Sequence, residues 1–385
     1  MPDGGERPGI RVLDSILGVT AAEWDLCAGT DNPFVRHAFL SCLEESGSAV
    51  AETGWRPCHL VATDAEGSVT ACAPLYLKSH SYGEYVFDWS WADAYQRAGG
   101  RYYPKLQCSV PFTPVNGPRL LVRQGGGGAA ELAQAMLRLA ADNGLSSAHA
   151  TFVSDQEMAA FEMAGFMRRL GYQYHWPNRG YRSFDDFLGA LSSRRRKQVR
   201  KEREAVARSG LRLTTLVGSE VTQRHWDAFF RMIHATASQK WGRPYLTRSF
   251  FEALSASPLG RDVVLMWAES AGQPVAAAFN MMGGGRLYGR TWGALEDIPF
   301  LHFEMCYYRA IDFALERGLS VVEAGAQGEH KLGRGYLPVA THSAHWIADP
   351  ALLEPVRRFL AHETPLVAED MADQDQAGPY RRGAV

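Results

Sequence analysis

Mainly apolar runs of strand length occur in two separate parts of the chain. Residues 59–91 contain three such runs, HLVATDA, SVTACAPLYLK and YGEYVFDWSW, separated by turn residues. Residues 263–292 repeat the order as VVLMWAE, PVAAAFNMM and RLYGRTW. Short apolar runs divided by turn residues are typical of antiparallel strands. The pattern therefore predicts a three-stranded meander in each half of the chain.

Each predicted meander is followed by an amphipathic helix and a buried strand. ELAQAMLRLAADNGL leads into SSAHATFV in the first half, and MCYYRAIDFALERGL leads into SVVEAGA in the second. Helical patterns also precede the meanders, at 21–27 and 35–46 and then at 183–209 and 220–236. Helices around a mainly antiparallel, mixed sheet predict an α+β fold that occurs twice.

The spacing of matching residues supports a duplication and locates an insertion. Gly83 matches Gly289 at an offset of 206, whereas Gly144 matches Gly318 at an offset of 174. The first copy should therefore carry about 32 extra residues, which we place at about 94–128, ending in a glycine linker. We expect a first domain over 1–177, a second over 178–365, and a flexible tail over 366–385.

Composition adds few restrictions to this picture. Forty basic and 42 acidic residues give a net charge of -2, so any anion-binding surface must be a local patch. The longest apolar runs are far too short for a membrane helix, and no signal-peptide pattern opens the chain. The six cysteines form no Cys-x-x-Cys pair, which argues against a zinc site or a disulfide framework. We expect a cytoplasmic protein without an integral membrane segment.

Several long strings resemble the FemAB-like predicted N-acyltransferases, a family within the GNAT superfamily assigned to peptidoglycan biosynthesis or recognition. The resemblance covers roughly residues 31–363. The strings are PLYLKSHSYGEYVFDWSWADAY from Pro74, YYPKLQCSVPFTPVNGPRLL from Tyr102, HWPNRGY from His175, SRRRKQVRKER from Ser193, LHFEMCYY from Leu301, and EAGAQGEHKLGRGYLPVATHSAHW from Glu323. The resemblance implies tandem GNAT-like domains of the Fem type.

It also implies a transferase that forms an amide on an amine acceptor, without a metal or redox cofactor. Fem enzymes take the acyl group from aminoacyl-tRNA, and a carrier-bound acyl group is the other donor considered. The acceptor is a peptidoglycan precursor or a small amine. One alternative is an acyl-CoA-dependent N-acetyltransferase, but residues 293–297 lack the superfamily's pyrophosphate pattern, Gln or Arg followed by x-x-Gly-x-Gly or Ala. Another alternative is a non-catalytic protein that binds a cell-wall precursor.

The candidate catalytic residues follow the predicted strand SVVEAGA. Loops at strand ends expose convergent polar groups, and this loop holds acidic, imidazole and ammonium groups. His330 or Glu323 would take the amine proton, and Lys331 or a backbone N–H would stabilise the oxyanion. A solvated surface loop is the alternative interpretation. Glu304 is a further candidate, with a plain helix-start role equally open, and the substrate-binding candidates nearby are Arg290, Trp292, His302, Tyr307 and Gln327.

A basic run is the candidate donor-binding element. Residues 194–204 contain seven basic and two acidic side chains, a net charge of +5. Phosphate is the natural partner of such a patch, although an exposed helix laced with ion pairs would look similar. The candidate phosphate ligands are Arg194, Arg195, Arg196, Lys197, Arg200 and Lys201.

The first copy contributes the remaining substrate-binding candidates. Aromatic and charged side chains crowd the third predicted strand and its exit, in a mixture that suits a polar, cationic or sugar-like acceptor. Some of the aromatic residues would serve equally well as packing. The candidates are His80, Tyr82, Glu84, Asp88, Trp91, Tyr103 and Lys105.

Overall fold

The computed structural model describes residues 9–240, 242–326 and 328–381. Its strands are β1 (Gly9–Leu13), β2 (Trp55–Pro57), β3 (His59–Thr63), β4 (Val69–Ala73), β5 (Leu75–Lys78), β6 (Lys105–Cys108), β7 (Leu121–Val122), β8 (Ser147–Val153), β9 (Met167–Pro177), β10 (Arg212–Val217), β11 (Val263–Ser270), β12 (Gln273–Gly283), β13 (Arg286–Ala294), β14 (Val321–Glu323) and β15 (Leu337–Ile347). Its helices are α1 (Ala21–Ala28), α2 (His37–Glu45), α3 (Trp89–Arg97), α4 (Ala129–Asp142), α5 (Asp155–Ala164), α6 (Phe184–Ala190), α7 (Ser193–Ala207), α8 (Gln223–Lys240), α9 (Arg248–Ala256), α10 (Leu301–Phe303), α11 (Arg309–Glu316) and α12 (Pro350–Gln376).

The chain forms two compact units. The first consists of Met1–Gly171 and Ala340–Ala368, and the second of Tyr172–Val339 and Glu369–Val385. This division differs from two consecutive domains, because most of β15 and α12 return to the first unit. The predicted α+β class, with helices around mainly antiparallel sheets, is confirmed.

In the first unit, β5 pairs antiparallel with β2 and β6, β6 runs parallel to β8, and β8 pairs with the part of β15 in this unit. A smaller sheet has the order β1-β3-β4-β7. One face of the larger sheet carries Leu75, Leu106 and Ala148, which join a core with apolar residues of α4 and α5. The opposite face carries polar residues.

The third strand predicted in the first copy, at 82–91, is wrong. Residues 82–88 are irregular and α3 begins at Trp89, while the strand that pairs with β5 is β6. The segment added between these strands is therefore 79–104, and the expected position at about 94–128 is too late. The left-handed backbone of Gly83 and Tyr85, with φ of 81° and 60°, prevents a continuous strand there.

The second unit contains the predicted meander as β11, β12 and β13. Its sheet has the order β10-β11-β12-β13-β14, followed by the part of β9 that belongs to this unit. Pairing of the parallel strands β13 and β14 runs only from Arg286–Val321 to Tyr288–Glu323. Because β13 continues to Ala294 while β14 ends at Glu323, the sheet opens beyond Glu323.

Two predicted helices of this unit are interrupted. The pattern at 183–209 forms α6 and α7, separated by extended Leu191 and Ser192, because the fully buried Leu191 side chain packs into the core. The helix after the meander starts with α10, widens into one π-helical turn at Glu304–Tyr308, and continues as α11. Such wide turns are frequent at functional sites.

The C-terminal residues are more ordered than expected. Helix α12 extends to Gln376, and the hydroxyl of the half-buried Tyr380 donates to the Gly335 carbonyl at 2.7 Å. In the described part of 366–385 the chain is therefore helical up to Gln376 and hydrogen-bonded at Tyr380. None of the helices within the described ranges combines the length and hydrophobicity required to cross a membrane.

Candidate active site

His330 lies in an aromatic cluster of the second unit. A single 3₁₀ turn at Glu329–Arg334 follows β14 and brings the imidazole next to the π-helical turn. His330 Nε2 lies 2.9 Å from the Tyr307 hydroxyl. The His302 ring contacts both residues, with centroids 5.4 Å from Tyr307 and 6.2 Å from His330, and also contacts Trp292 at 5.3 Å. Four predicted site residues thus meet here.

The protonation state of this cluster follows from its surroundings. Burial, together with the positive charges of Arg334 and Lys331, lowers the pKa of His330, so the imidazole is neutral at pH 7. Burial raises the pKa of Tyr307, which keeps its hydroxyl protonated. The Tyr307 hydroxyl therefore donates to His330 Nε2, and this bond selects the tautomer with the proton on Nδ1.

Lys331 is a buried amine on the same turn, 2% exposed. Its Nζ donates to the Gly325 carbonyl at 2.9 Å, in the loop directly after β14. Burial lowers the lysine pKa to about 8, so most of the amine is protonated at pH 7. A cation held in a low-dielectric position is suited to stabilising a developing oxyanion.

Glu323 ends β14 and is buried beside two basic residues. Arg286 Nη1 donates to its Oε1 at 2.9 Å, and His175 Nε2 on β9 lies 3.7 Å from its Oε2. Burial raises the pKa of Glu323 to about 7, in spite of the opposing charge of Arg286. Burial also lowers the pKa of His175 to about 3. Glu323 therefore titrates near neutrality beside a neutral imidazole.

His175 and Arg286 belong to this site although the sequence analysis did not select them. His175 is the register partner of Glu323 across β9 and β14. It stands in the quoted string HWPNRGY, and the part of that string in the family resemblance was the available signal. Their roles depend on strand pairing, which the sequence alone does not specify.

Glu304 faces away from His330 and binds the basic helix instead. Arg203 on α7 approaches both Glu304 oxygens, at 3.1 and 3.2 Å, and also binds Asp312 at 2.6 Å. His302 and Glu304 thus point in different directions, as their spacing predicts. The position of Glu304 matches a structural ion pair better than contact with a reacting group.

Helix α7 presents its basic residues to solvent and a buried carboxylate to the protein. Arg194, Lys197, Arg200 and Lys201 are exposed, whereas Arg195 and Arg196 are half-buried. On the inner side, Arg334 donates to both oxygens of Glu202, at 2.8 and 3.1 Å, and the Tyr308 hydroxyl also donates to Glu202. Because Arg334 belongs to the turn of His330, this pair connects the basic helix to the candidate site.

Two other candidates of the second unit remain, Arg290 and Gln327. Arg290 lies on β13 beyond its pairing with β14, and its charge lowers the pKa of Glu323 against the larger effect of burial. Arg290 therefore belongs electrostatically to the same site. Gln327 lies outside the described residues.

The first-unit candidates surround Lys105. Lys105 Nζ donates to Ser81 Oγ and to one oxygen of Glu84, each at 2.8 Å, and to one oxygen of Asp88. Burial raises the pKa of Glu84 to about 7. For Asp88, the effect of burial is outweighed by the charge of Lys105 and the hydrogen bond from its ammonium, which lower the pKa. The structure therefore unites three of the predicted residues in one buried ion-pair cluster.

The other first-unit candidates flank this cluster. The Tyr103 hydroxyl lies 2.8 Å from Ser81 Oγ, and the Trp91 ring packs edge-on against His345, with centroids 5.1 Å apart. Tyr82 is exposed and contacts the His80 ring at 5.2 Å. Tyr103 and Trp91 thus border the buried charges, whereas Tyr82 stands at the surface.

The sequence analysis also missed a match to the superfamily's pyrophosphate pattern. Residues 123–128 read RQGGGG, which fits Arg-x-x-Gly-x-Gly, and they connect β7 to the start of α4. Gly127 and Gly128 line an open groove of about 670 Å³. The run of glycines was the signal, but it was interpreted as a linker.

Comparison with solved structures places the fold. FemX shares 12% sequence identity, with a TM-score of 0.53 over 88% of this chain and 98% of that one. The C-terminal domain of a putative lysylphosphatidylglycerol synthetase from Agrobacterium fabrum shares 10% identity, with a TM-score of 0.55 and coverages of 86% and 93%. L-PGS from Bacillus licheniformis shares 11% identity, with a TM-score of 0.51 and coverages of 86% and 98%. These similarities show the fold.

Sequence comparison identifies the family. A search of curated proteins gives no match. The profile of the FemAB-like family, described as peptidoglycan biosynthesis/recognition, matches residues 15–382. The match spans nearly the whole sequence, in agreement with the resemblance noted from its strings. The chain therefore belongs to the FemAB-like family.

Proposed function

We propose that this protein transfers an acyl or aminoacyl group to an amine and so forms an amide. The observation that carries the proposal is a group of three side chains beside the opening between β13 and β14. His330 and Lys331 lie next to each other on one 3₁₀ segment, and Tyr307 of the π-helical turn binds His330. A neutral hydrogen-bonded imidazole can accept the proton that amide formation releases, and a buried ammonium can stabilise the oxyanion. Family membership and the Fem-type fold support an acyl or aminoacyl transferase.

The geometry suggests how the amine proton leaves. The acceptor nitrogen attacks the acyl carbon, a C–N bond forms, and the bond from that carbon to the donor's oxygen or sulfur breaks. Because the Tyr307 hydroxyl donates to His330 Nε2, the amine proton would pass to the Tyr307 oxygen while the tyrosine proton moves to His330. His330 would later return a proton to the leaving group through the same hydroxyl. Lys331 would donate a hydrogen bond to the oxyanion.

The donor would carry phosphate groups. The exposed basic residues of α7 are held next to the His330 turn by the buried Glu202–Arg334 pair, so they could bind a polyanion whose acyl end reaches that turn. Fem enzymes use aminoacyl-tRNA, which makes it the first donor to test. A carrier-bound acyl group would present fewer phosphates to the same face. The acceptor would be a peptidoglycan precursor or another amine.

A specific observation also favours a second candidate, an acyl-CoA donor. The RQGGGG loop of the first unit fits the pattern with which GNAT enzymes hold pyrophosphate, and two of its glycines line a groove. Backbone N–H groups in such loops bind phosphate oxygens. Replacing Arg123 would impair transfer if this loop held the donor, whereas neutralising the exposed face of α7 would not.

Donor identity can be tested directly. The protein would be incubated separately with labelled aminoacyl-tRNA, acyl carrier protein and acyl-CoA, each with an amine acceptor, and the loss of donor label and the gain of amide product would be measured. We expect aminoacyl-tRNA to lose its label in a reaction that depends on Lys331. Acyl transfer from none of the three donors would contradict the proposal and favour a precursor-binding protein.

A further inference from the structure

The face of the first unit's sheet that points away from α4 and α5 is both polar and buried. Polar residues alternate along four neighbouring strands with the apolar residues of the core. A sheet covered on both faces is ordinarily apolar on both. The buried polar residues of this face are Tyr76, Lys78, Lys105, Gln107, Ser147, His149, Thr151, Ser343 and His345.

Residues 79–104 cover this face through polar contacts. Within that segment, Glu84 and Asp88 bind Lys105, and the Tyr102 hydroxyl donates to Asp88 at 2.7 Å. Trp91 packs against His345 on the sheet. These contacts place two carboxylates and an indole directly over the polar strands.

Several polar atoms of this region have no hydrogen-bond partner among the described residues. Glu84 Oε1, Asp88 Oδ1 and Gln107 Oε1 are acceptors, whereas Nε1 of Trp55 and of Trp91 are donors. Buried polar atoms are nearly always partnered in folded proteins, so a concentration of exceptions needs an explanation. A ligand that satisfies these atoms must offer N–H donors to the three acceptors and an oxygen acceptor to the two indoles.

The charges of the region are balanced. Lys78 and Lys105 are register partners on β5 and β6, and both side chains are fully buried. They match the acidic groups of Glu84 and Asp88, and because burial brings the pKa of both Lys78 and Glu84 to about 7, these two stay neutral overall whether both are charged or both are uncharged. An added ligand with one net charge would leave that charge buried without compensation, which is costly. A ligand with both an ammonium and a carboxylate preserves the balance.

We propose that this polar face, beneath residues 79–104, binds a small zwitterion of the free α-amino acid class. The ammonium would donate to Glu84 Oε1 and Asp88 Oδ1, whose other oxygens Lys105 holds. The carboxylate would accept from Trp55 Nε1 and from Lys78, whose Nζ lies 3.6 Å from the Trp55 ring centroid. Only one part of the inference rests on the proposed function, namely that this zwitterion is the amine acceptor.

Calorimetry on the full chain tests the ligand class without any transfer reaction. The probes are glycine, L-alanine and L-lysine, compared with N-acetyl-L-alanine, L-alanine methyl ester and N-acetylglucosamine. We expect at least one amino acid to bind and L-alanine to bind about ten- to a hundredfold more tightly than either derivative, because each blocked charge forfeits a charge-assisted contact. Equal binding, a preference for the neutral sugar, or no binding of any amino acid would overturn the inference.

Variants locate the two ends of the ligand. Glu84→Gln should reduce the penalty for acetylating the amine, and Lys78→Met should reduce the penalty for esterifying the carboxylate. The exposed-residue variants Glu66→Gln and Arg358→Met are matched controls and should retain both penalties. If Lys78→Met fails to fold, as judged by circular dichroism, the ammonium end can still be tested. The penalty for acetylating the amine is then measured in Glu84→Gln and in Asp88→Asn and compared with wild type.

The two proposals fail separately. Lys331→Met, in the second unit, should lose transfer while it retains amino acid binding. Binding of a zwitterion without transfer from any donor would contradict the proposed function alone. Transfer to an amine by a protein that binds no zwitterion would contradict this inference alone.

Discussion

At the scale of single residues, the proposed chemistry depends on protonation states that burial sets. A histidine that accepts a hydrogen bond through Nε2 has no free lone pair for a second proton, so His330 acts on the amine only through Tyr307. The pair should therefore behave as one unit. Residues that act as a unit show strongly non-additive losses when both are removed.

We predict that Tyr307→Phe and His330→Ala lower kcat by similar factors, about 10²- to 10⁴-fold, which is the usual range for a general base. The double variant should lose little more than either single variant. Steady-state kinetics with the identified donor measures the three values. Full activity of Tyr307→Phe beside an inactive His330→Ala would exclude the tyrosine from the proton path and leave His330 as a direct base.

Lys331→Met should lower kcat, because the ammonium would meet charge that develops only in the transition state. A lysine that merely attracts an anionic donor would raise KM and leave kcat unchanged. Lys331→Arg, which retains the charge in a larger group, is the matched comparison and should keep more activity than Lys331→Met. Thermal unfolding of each variant separates these effects from misfolding.

At the scale of elements, the pattern of apolar runs divided by turn residues predicted the β11–β13 meander, because β11 and β12 are buried over most of their length and the three strands follow each other through short turns. It failed at 82–91, where the hydrophobic pattern looks strand-like but Glu84 and Asp88 turn inward to Lys105. Lys105 lies 21 residues from Glu84 and 17 residues from Asp88 in the chain, so no local sequence pattern predicts these ion pairs. The Glu202–Arg334 pair spans 132 residues and could not be predicted from the local sequence either.

Helix α7 gives a prediction that belongs to a whole surface. Replacing Arg194, Lys197, Arg200 and Lys201 together with Gln should weaken binding of a tRNA donor and flatten its salt dependence, because fewer counterions are released. The fold should persist, since all four side chains are exposed. Filter binding at several salt concentrations provides the slope. Unchanged affinity would identify the basic run as a solvated helix face.

The buried side of the same helix should matter for stability instead. Glu202→Leu would leave the Arg334 guanidinium without its carboxylate, and breaking a buried pair on one side typically costs about 3–5 kcal/mol. Denaturant unfolding of Glu202→Leu against wild type measures this loss. The exposed variant Glu204→Gln on the same helix should cost little. A small effect of both would show that the pair does not hold α7 in place.

At the scale of the whole molecule, buried titratable groups in both units act together on stability. His149, His345 and His175 are kept neutral by burial, which lowers their pKa values; the value falls to about 3 for His149 and His175. Below pH 6.5 these histidines bind protons in the unfolded chain but not in the folded one, so they make the folded state less stable as pH falls. Glu84 and Glu323, with pKa values raised to about 7, have the opposite effect between about pH 4.5 and 7.

Histidines whose pKa is lowered outnumber the carboxyl groups whose pKa is raised, so the free energy of unfolding should rise from pH 4.5 to 6.5. Glu84→Gln and Glu323→Gln should each steepen that rise, because each removes a group whose deprotonation opposes folding over this interval. Denaturant titrations at half-unit pH steps give the slopes. An unchanged slope in both variants would mean that these carboxyl groups ionise at ordinary pH, and the electrostatic argument for both buried sites would then fail.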